Sequence, residues 1–176
     1  FLTPSLPYDI DVLSWPITYI TFAVESVDGQ SHTCKIEFEA GAEIAVDDPN
    51  QPTQWSEPKI EGLSTHAVGS TAQEILNRSG DDLRIDWGYL YVSVPADFQP
   101  TWNAHRVQVP LSCHADQVSQ AYVILAYDDL YSIQYMQNNL RPYWRRNGWE
   151  AADLLKASRA RYDELTQACE QFDQEL

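Results

Sequence analysis

The spacing of the apolar residues changes once along this chain, and that change constrains the fold more than any other feature. Ahead of residue 128 they fall at period two or in short β-branched and aromatic runs; after residue 148 they fall alternately four and three apart. A strand sends alternate side chains to opposite faces, whereas a helix repeats every 3.6 residues. The chain therefore reads as a mainly β body over residues 1–128, a linker over 129–147 and a C-terminal α-helix over 148–176. Seven or more strands separated by turns argue for an antiparallel β-sandwich, the supersandwich being one form of it.

The first run, Ile17 to Val27, leads into Asp28-Gly29, a strong hairpin signal, and predicts pairing with the strand after it. That second strand, Thr33 to Ala40, sets Cys34, Ile36 and Phe38 on one face and Thr33, Lys35, Glu37 and Glu39 on the other, the pattern of a half-buried strand. Gly41 predicts a bulge, with the strand resuming over 42–46. Residues 47–58, with three prolines and a lone Trp55, read as a long loop. Leu83 to Val94 is apolar on both faces and predicts a central strand, and Arg106–Val109 and Ala121–Tyr127 supply two more.

At the C-terminal end, Asn147 followed by Glu150 has the form of a helix start, the Asn accepting from the N3 amide and the Glu reaching back. Ala151, Leu155, Ser158, Tyr162, Leu165, Cys169, Phe172 and Leu176 then form one seam. No glycine or proline interrupts it, so an unbroken helix about 43 Å long is expected at 1.5 Å per residue. Such a helix either packs on the sandwich or points toward a further domain. The expectation is mixed cover, with the start packed and the end, from Cys169 to Leu176, exposed.

The linker is crowded with aromatic residues and holds Arg141, Arg145 and Arg146, three of only 11 basic residues in the chain. Arginine beside Tyr143 and Trp144 is the composition of a contact surface. An irregular connection whose rings fill the end of the core would have the same composition.

The chain has 176 residues, 44% of them hydrophobic, enough to bury a core. Its net charge of −15 repels phosphate backbones and anionic lipid surfaces, which argues against nucleic acid as a partner. No window reaches the roughly 18 apolar residues of a membrane span. The chain opens on Phe1 with a single internal methionine, Met136, and reads as a piece of something longer. Cys34, Cys113 and Cys169 are too scattered for a zinc site or a disulfide scaffold; they read as three buried thiols, or as one disulfide and one leftover.

Chemistry-bearing residues are few. Asp81, Asp82 and Asp86 crowd the approach to the central strand, where Arg84 and Asp86 share a face and Trp87 lies opposite. They read either as acid/base or cation-binding carboxylates, or as an Asp-rich turn leading into an Arg84–Asp86 pair. Asp128 and Asp129 repeat the theme after another strand. His32, His66, His105 and His114 lie nine or more residues apart and lack metal-site spacing. No Gly-x-Ser-x-Gly elbow, Ser-x-x-Lys or phosphate-binding glycine loop occurs, so no catalytic residue and no cofactor are assigned.

Four segments, FLTPSLPYDIDVLSWPITYITFAVESVDG, RSGDDLRIDWGYLYV, AYDDLYSIQYMQNNLRPYWRRNG and YDELTQACEQFDQEL, resemble the glutaminase A family. That resemblance, which extends to gut Bacteroidetes members, implies exported enzymes, extracellular or periplasmic, that hydrolyse glutamine to glutamate and ammonia. It also implies that this stretch is a non-catalytic accessory domain whose partner is a downstream helical catalytic domain of the same chain. The candidate binding or interdomain residues are then Asp81, Asp82, Arg84, Asp86, Trp87, Asp128, Asp129, Arg141, Tyr143 and Trp144. The order of sandwich, linker and helix is similar to that of glycoside hydrolases with an α/α-barrel. That likeness keeps open a carbohydrate- or peptide-binding module in which Trp55, Trp87 or Trp102 offers a stacking platform.

Overall fold

The period-two runs become strands in two antiparallel sheets, seen in a computed structural model that describes residues 1–81, 83–114 and 117–176. The strands are β1 (Ile17–Val24), β2 (His32–Glu39), β3 (Thr53–Ser56), β4 (Leu63–Ser70), β5 (Tyr89–Pro95), β6 (Thr101–Asn103), β7 (Arg106–Cys113) and β8 (Ser119–Asp128). One sheet has the order β1-β8-β5-β4-β3, and the other has the order β2-β7-β6. A separate hairpin joins β9 (Ile133–Tyr135) to β10 (Asn138–Leu140). A short helix α1 (Ile10–Leu13) precedes the sheets, and α2 (Ala151–Ala160) and α3 (Tyr162–Glu175) close the fold. The expected mainly β, antiparallel fold with a C-terminal helix is what forms.

Strand β8 shows how the layers are built. Its Tyr122, Ile124 and Ala126 join one core with Trp15, Ile17, Tyr19, Leu154, Leu155 and Leu165, between the large sheet and the helices. Its Ala121 and Val123 join a second core with Val92, Val94, Val107 and Val109, between the two sheets. A strand sandwiched on both faces must be apolar on both, and β8 is. β2 is covered on one side only, so Lys35, Glu37 and Glu39 face solvent as the alternation requires.

Several local expectations are corrected. β1 pairs not with β2 but with β8, in an eight-residue register from Ile17↔Ala126 to Val24↔Ser119, while β2 pairs with β7. Asp28 does organise a turn, accepting from the Gln30 amide at 3.0 Å, but residues 25–31 carry the chain from one sheet to the other. Residues 42–45 form a 3-10 turn rather than a resumed strand, because Ala45 and Val46 turn into the core. The long loop contains β3, which pairs Trp55 with Val68.

The central strand starts at Tyr89, not Leu83. Leu83 and Ile85 are exposed, so their period-two spacing faces water. Gly88 lies between, at φ 80, and a Cβ there would come within 2.9 Å of Asp129 Cα. Only glycine tolerates that conformation with so close a neighbour.

The C-terminal helix is corrected as well. It starts at Ala151 with Glu150 as N-cap in a reciprocal capping box with Asp153, and it breaks at Arg161 (φ −104, ψ 11). The Tyr19 hydroxyl, buried beneath, donates to the Ser158 carbonyl at 2.7 Å just ahead of the break. Leu155, Leu165 and Cys169 are buried and Phe172 packs against the same core, so the sandwich covers the seam to Phe172. The expected exposed end is confined to the last residues, with Leu176 91% exposed. No helix among the described residues is long and apolar enough to cross a membrane.

Candidate functional site

The two carboxylate-bearing turns meet at one end of the large sheet. β5 and β8 run side by side with Tyr89 opposite Asp128, which brings the approach to β5 against the end of β8. Trp87 Nε1 donates to the Tyr131 carbonyl at 3.1 Å, and the Tyr127 hydroxyl donates to the Trp87 carbonyl at 2.7 Å. Burial pushes the Tyr127 phenol well above its ordinary value, and nearby Asp129, Asp86 and Asp128 push it further.

Each buried carboxylate in this region has its own arginine. Asp86 is 3% exposed; it pairs with Arg78, not with the expected Arg84, and accepts from Gln51 Nε2 at 2.9 Å. Arg84 sits apart, its backbone amide donating to Asp47 Oδ1 at 3.0 Å. The reason is the missing strand: without β pairing over 83–88, Arg84 and Asp86 have no sheet face to share. Asp128 is held by Arg145, both fully enclosed, and Arg145 also reaches Glu150. These ion pairs tie the loop ahead of β5 and the end of β8 to their neighbours.

The remaining candidates scatter. Asp81 is exposed, Asp129 is half-buried and accepts through its carbonyl from the Tyr131 amide, and Asp82 lies outside the described residues. Trp144 is core, 3% exposed, which realises the core-filling reading of the linker. Tyr143 is 45% exposed with Arg146 over its ring at 4.1 Å, and Arg141 makes an exposed pair with Glu150 at 3.0 Å. Arg141, Tyr143 and Arg146 form the exposed part of the linker. The β9–β10 hairpin has every residue of both strands exposed, Ile133, Tyr135 and Leu140 among them, as is Met136 in the turn between.

Sequence reasoning missed a second cluster, at the open edge between the sheets. Trp55 of β3 stacks on His105 at 3.8 Å, and His66 of β4 stacks on Trp102 at 3.7 Å, so each sheet contributes one tryptophan and one histidine. Glu57 lies 3.7 Å from His66, and burial holds the His66 imidazole below its ordinary pKa. The stacked partners are 50 and 36 residues apart in sequence, and no local pattern announces their contact. Trp55 and Trp102, two of the expected platform residues, are half-buried and each stacks on a histidine. Among the described residues, no three His, Cys, Asp or Glu side chains are grouped to hold a metal ion. The three cysteines are free thiols, Cys113 and Cys169 buried and Cys34 half-buried.

Comparison with known proteins adds two findings. The family described as Domain of unknown function (DUF5127) matches residues 1–112 and 101–176, which together span the chain. The chain is also similar to Glutaminase A of Aspergillus oryzae (strain ATCC 42149 / RIB 40), with 29% identity over 92 residues, 52% of this chain and 13% of that protein. It therefore matches only a small part of the length of that relative.

Proposed function

This chain belongs to the family described as Domain of unknown function (DUF5127), and from that premise we propose that it is a non-catalytic β-sandwich domain of a longer, glutaminase-like amidohydrolase. The catalytic work, release of ammonia and glutamate from L-glutamine, falls to a further helical domain on which this one docks. The observation that carries the reading is the likeness to Glutaminase A over a small share of that protein. It is supported by the chemistry of the described residues, where the buried carboxylates Asp86 and Asp128 are neutralised by arginines.

The docking element in this reading is the β9–β10 hairpin. From Leu130 to Leu140 the chain carries no charge, although charged residues make up 21% of the whole. At its tip Met136 and Gln137 both adopt positive φ, 47 and 65, a turn that ordinarily draws Asn or Gly. Exposed apolar residues on a strained, uncharged arm fit a surface that is covered in the intact protein. The C-terminal seam does not serve, since the sandwich already covers it.

Ammonia release from L-glutamine by the longer parent protein and by this 176-residue chain alone tests the reading. Release by the parent and none by the chain is expected. Turnover by the chain would overturn its non-catalytic role, and an inactive parent would overturn the glutaminase assignment.

A further inference from the structure

A cleft where α1, the linker and the helix break converge has no part in the reading above. It encloses about 180 Å³, smaller than the roughly 300 to 1,000 Å³ of pockets for drug-sized ligands, which limits an occupant to a few heavy atoms. Its walls include Trp15 and Trp149, tilted at 42° with ring centroids 5.9 Å apart. Arg161, at the break between α2 and α3, lies over the Trp15 ring at 5.5 Å, tied by Glu164 at 2.9 Å and facing Asp9. The mouth holds Asp11, Arg146 and Asn147.

The mouth groups are paired with each other and still accessible. Arg146 Nη2 donates to Asp11 Oδ1, with the two side chains 34% and 51% exposed. Among the described residues, Asp11 Oδ2 accepts no hydrogen bond and the Asn147 amide makes none. An exposed ion pair of this kind contributes little, typically 0 to 1 kcal/mol, so a ligand able to replace both halves opens it at small cost. A simple carboxylate would replace Asp11 but strand its charge beside the ligand, in a chain of net charge −15. A simple amine would strand Arg146. A ligand carrying both charges on adjacent groups strands neither.

We propose that this cleft binds the zwitterionic head of a free α-amino acid. The α-carboxylate accepts from the Arg146 guanidinium and the Asn147 amide, the α-ammonium donates to Asp11, and the first carbons of the stem lie along the cleft wall formed by Trp149 and Ala157. Arg161, already bound to Glu164, holds the Trp15 wall in place rather than contacting the ligand.

Calorimetric titration of the 176-residue chain with L-leucine and with L-glutamine tests this, alongside 4-methylpentanoate and 3-methylbutylamine, which are leucine without its ammonium and without its carboxylate. Saturable one-site binding of at least one amino acid is expected, with the single-charge analogues at least tenfold weaker. Arg146→Gln and Asp11→Asn should each weaken binding tenfold or more. Asn147→Ala, an exposed change that leaves the packing alone, should weaken it severalfold and guards against misfolding of the other two. No saturable binding of either amino acid, analogue affinity equal to that of leucine, or unchanged affinity in Asn147→Ala and Arg146→Gln would overturn the proposal.

Discussion

Arg145 grips Asp128 with two nitrogens, Nε reaching Oδ1 at 3.0 Å and Nη2 reaching Oδ2, and the two side chains are 1% and 2% exposed. The third nitrogen, Nη1, goes to Glu150, the N-cap of α2. A single guanidinium thus ties the end of β8 to the start of the helical layer. A buried pair costs desolvation to form, but removing one partner leaves the other charge stranded, worth about 3 to 5 kcal/mol. Urea unfolding of Asp128→Ala and Arg145→Ala should each show a loss of that order, and the double variant should cost less than the two losses added. Strict additivity would show that the two act independently.

Asp86 anchors the loop ahead of β5 through Arg78 and Gln51. Its side chain is 4% exposed while Arg78 is 42% exposed, so the buried carboxylate has more to lose. Arg78→Ala is expected to destabilise by about 1 to 3 kcal/mol by leaving that carboxylate under-satisfied, whereas Arg84→Ala should change stability by less than about 0.5 kcal/mol. Equal losses would restore the Arg84 pairing.

The helical layer predicts a protection pattern. Tyr19→Phe removes the hydroxyl on the Ser158 carbonyl without opening a cavity and should cost about 1 kcal/mol. In hydrogen exchange, amides of α3 as far as Cys169 should be protected comparably to those of α2, because Leu165 and Cys169 sit in the same core as Leu154 and Leu155. Fast exchange beginning at Leu165 would mean that the second half of the helix is not docked.

Stability should fall on acidification in a way traceable to His66. Burial lowers its pKa in the folded chain below the ordinary value near 6.5. Between the two values the unfolded chain binds a proton that the folded chain does not, so stability rises with pH there. The neutral ring's contribution is complete above about 6.5 and is lost as pH falls from there toward the folded value. Melting temperature against pH should show a shallower acid slope below 6.5 in His66→Gln than in the parent chain; identical slopes would count against it.

Where a short stretch of chain is enough to decide an outcome, the residues were readable in order. Thr33 to Glu39 alternates as a half-covered strand must, Ala121 to Tyr127 is apolar on both faces as a doubly covered one must be, and both are strands. Leu155, Leu165 and Cys169 share one helix face and are buried together. The same logic misled at Leu83 and Ile85, whose period-two spacing has no sheet beneath it, and at Asn147, which lost the cap position to Glu150. Of the candidate site, Asp86 and Asp128 were legible as carboxylates near strands, but their burial was not. Their partners were not, since Arg78 and Arg145 lie eight and seventeen residues away.

By itself the sequence determined the class: period two before residue 128 and helical period after residue 148 allow little besides antiparallel sheets with helices packed against them, because each spacing buries a continuous apolar face in only one backbone geometry. Tertiary structure decided which strand pairs with which, sending β1 to β8 rather than to its neighbour β2. It also chose which arginine neutralises which aspartate, stacked His66 on Trp102 and His105 on Trp55, and broke the last helix at Arg161 over the Tyr19 hydroxyl. These outcomes depend on groups distant in sequence competing for the same buried space, and no local propensity encodes the result of that competition.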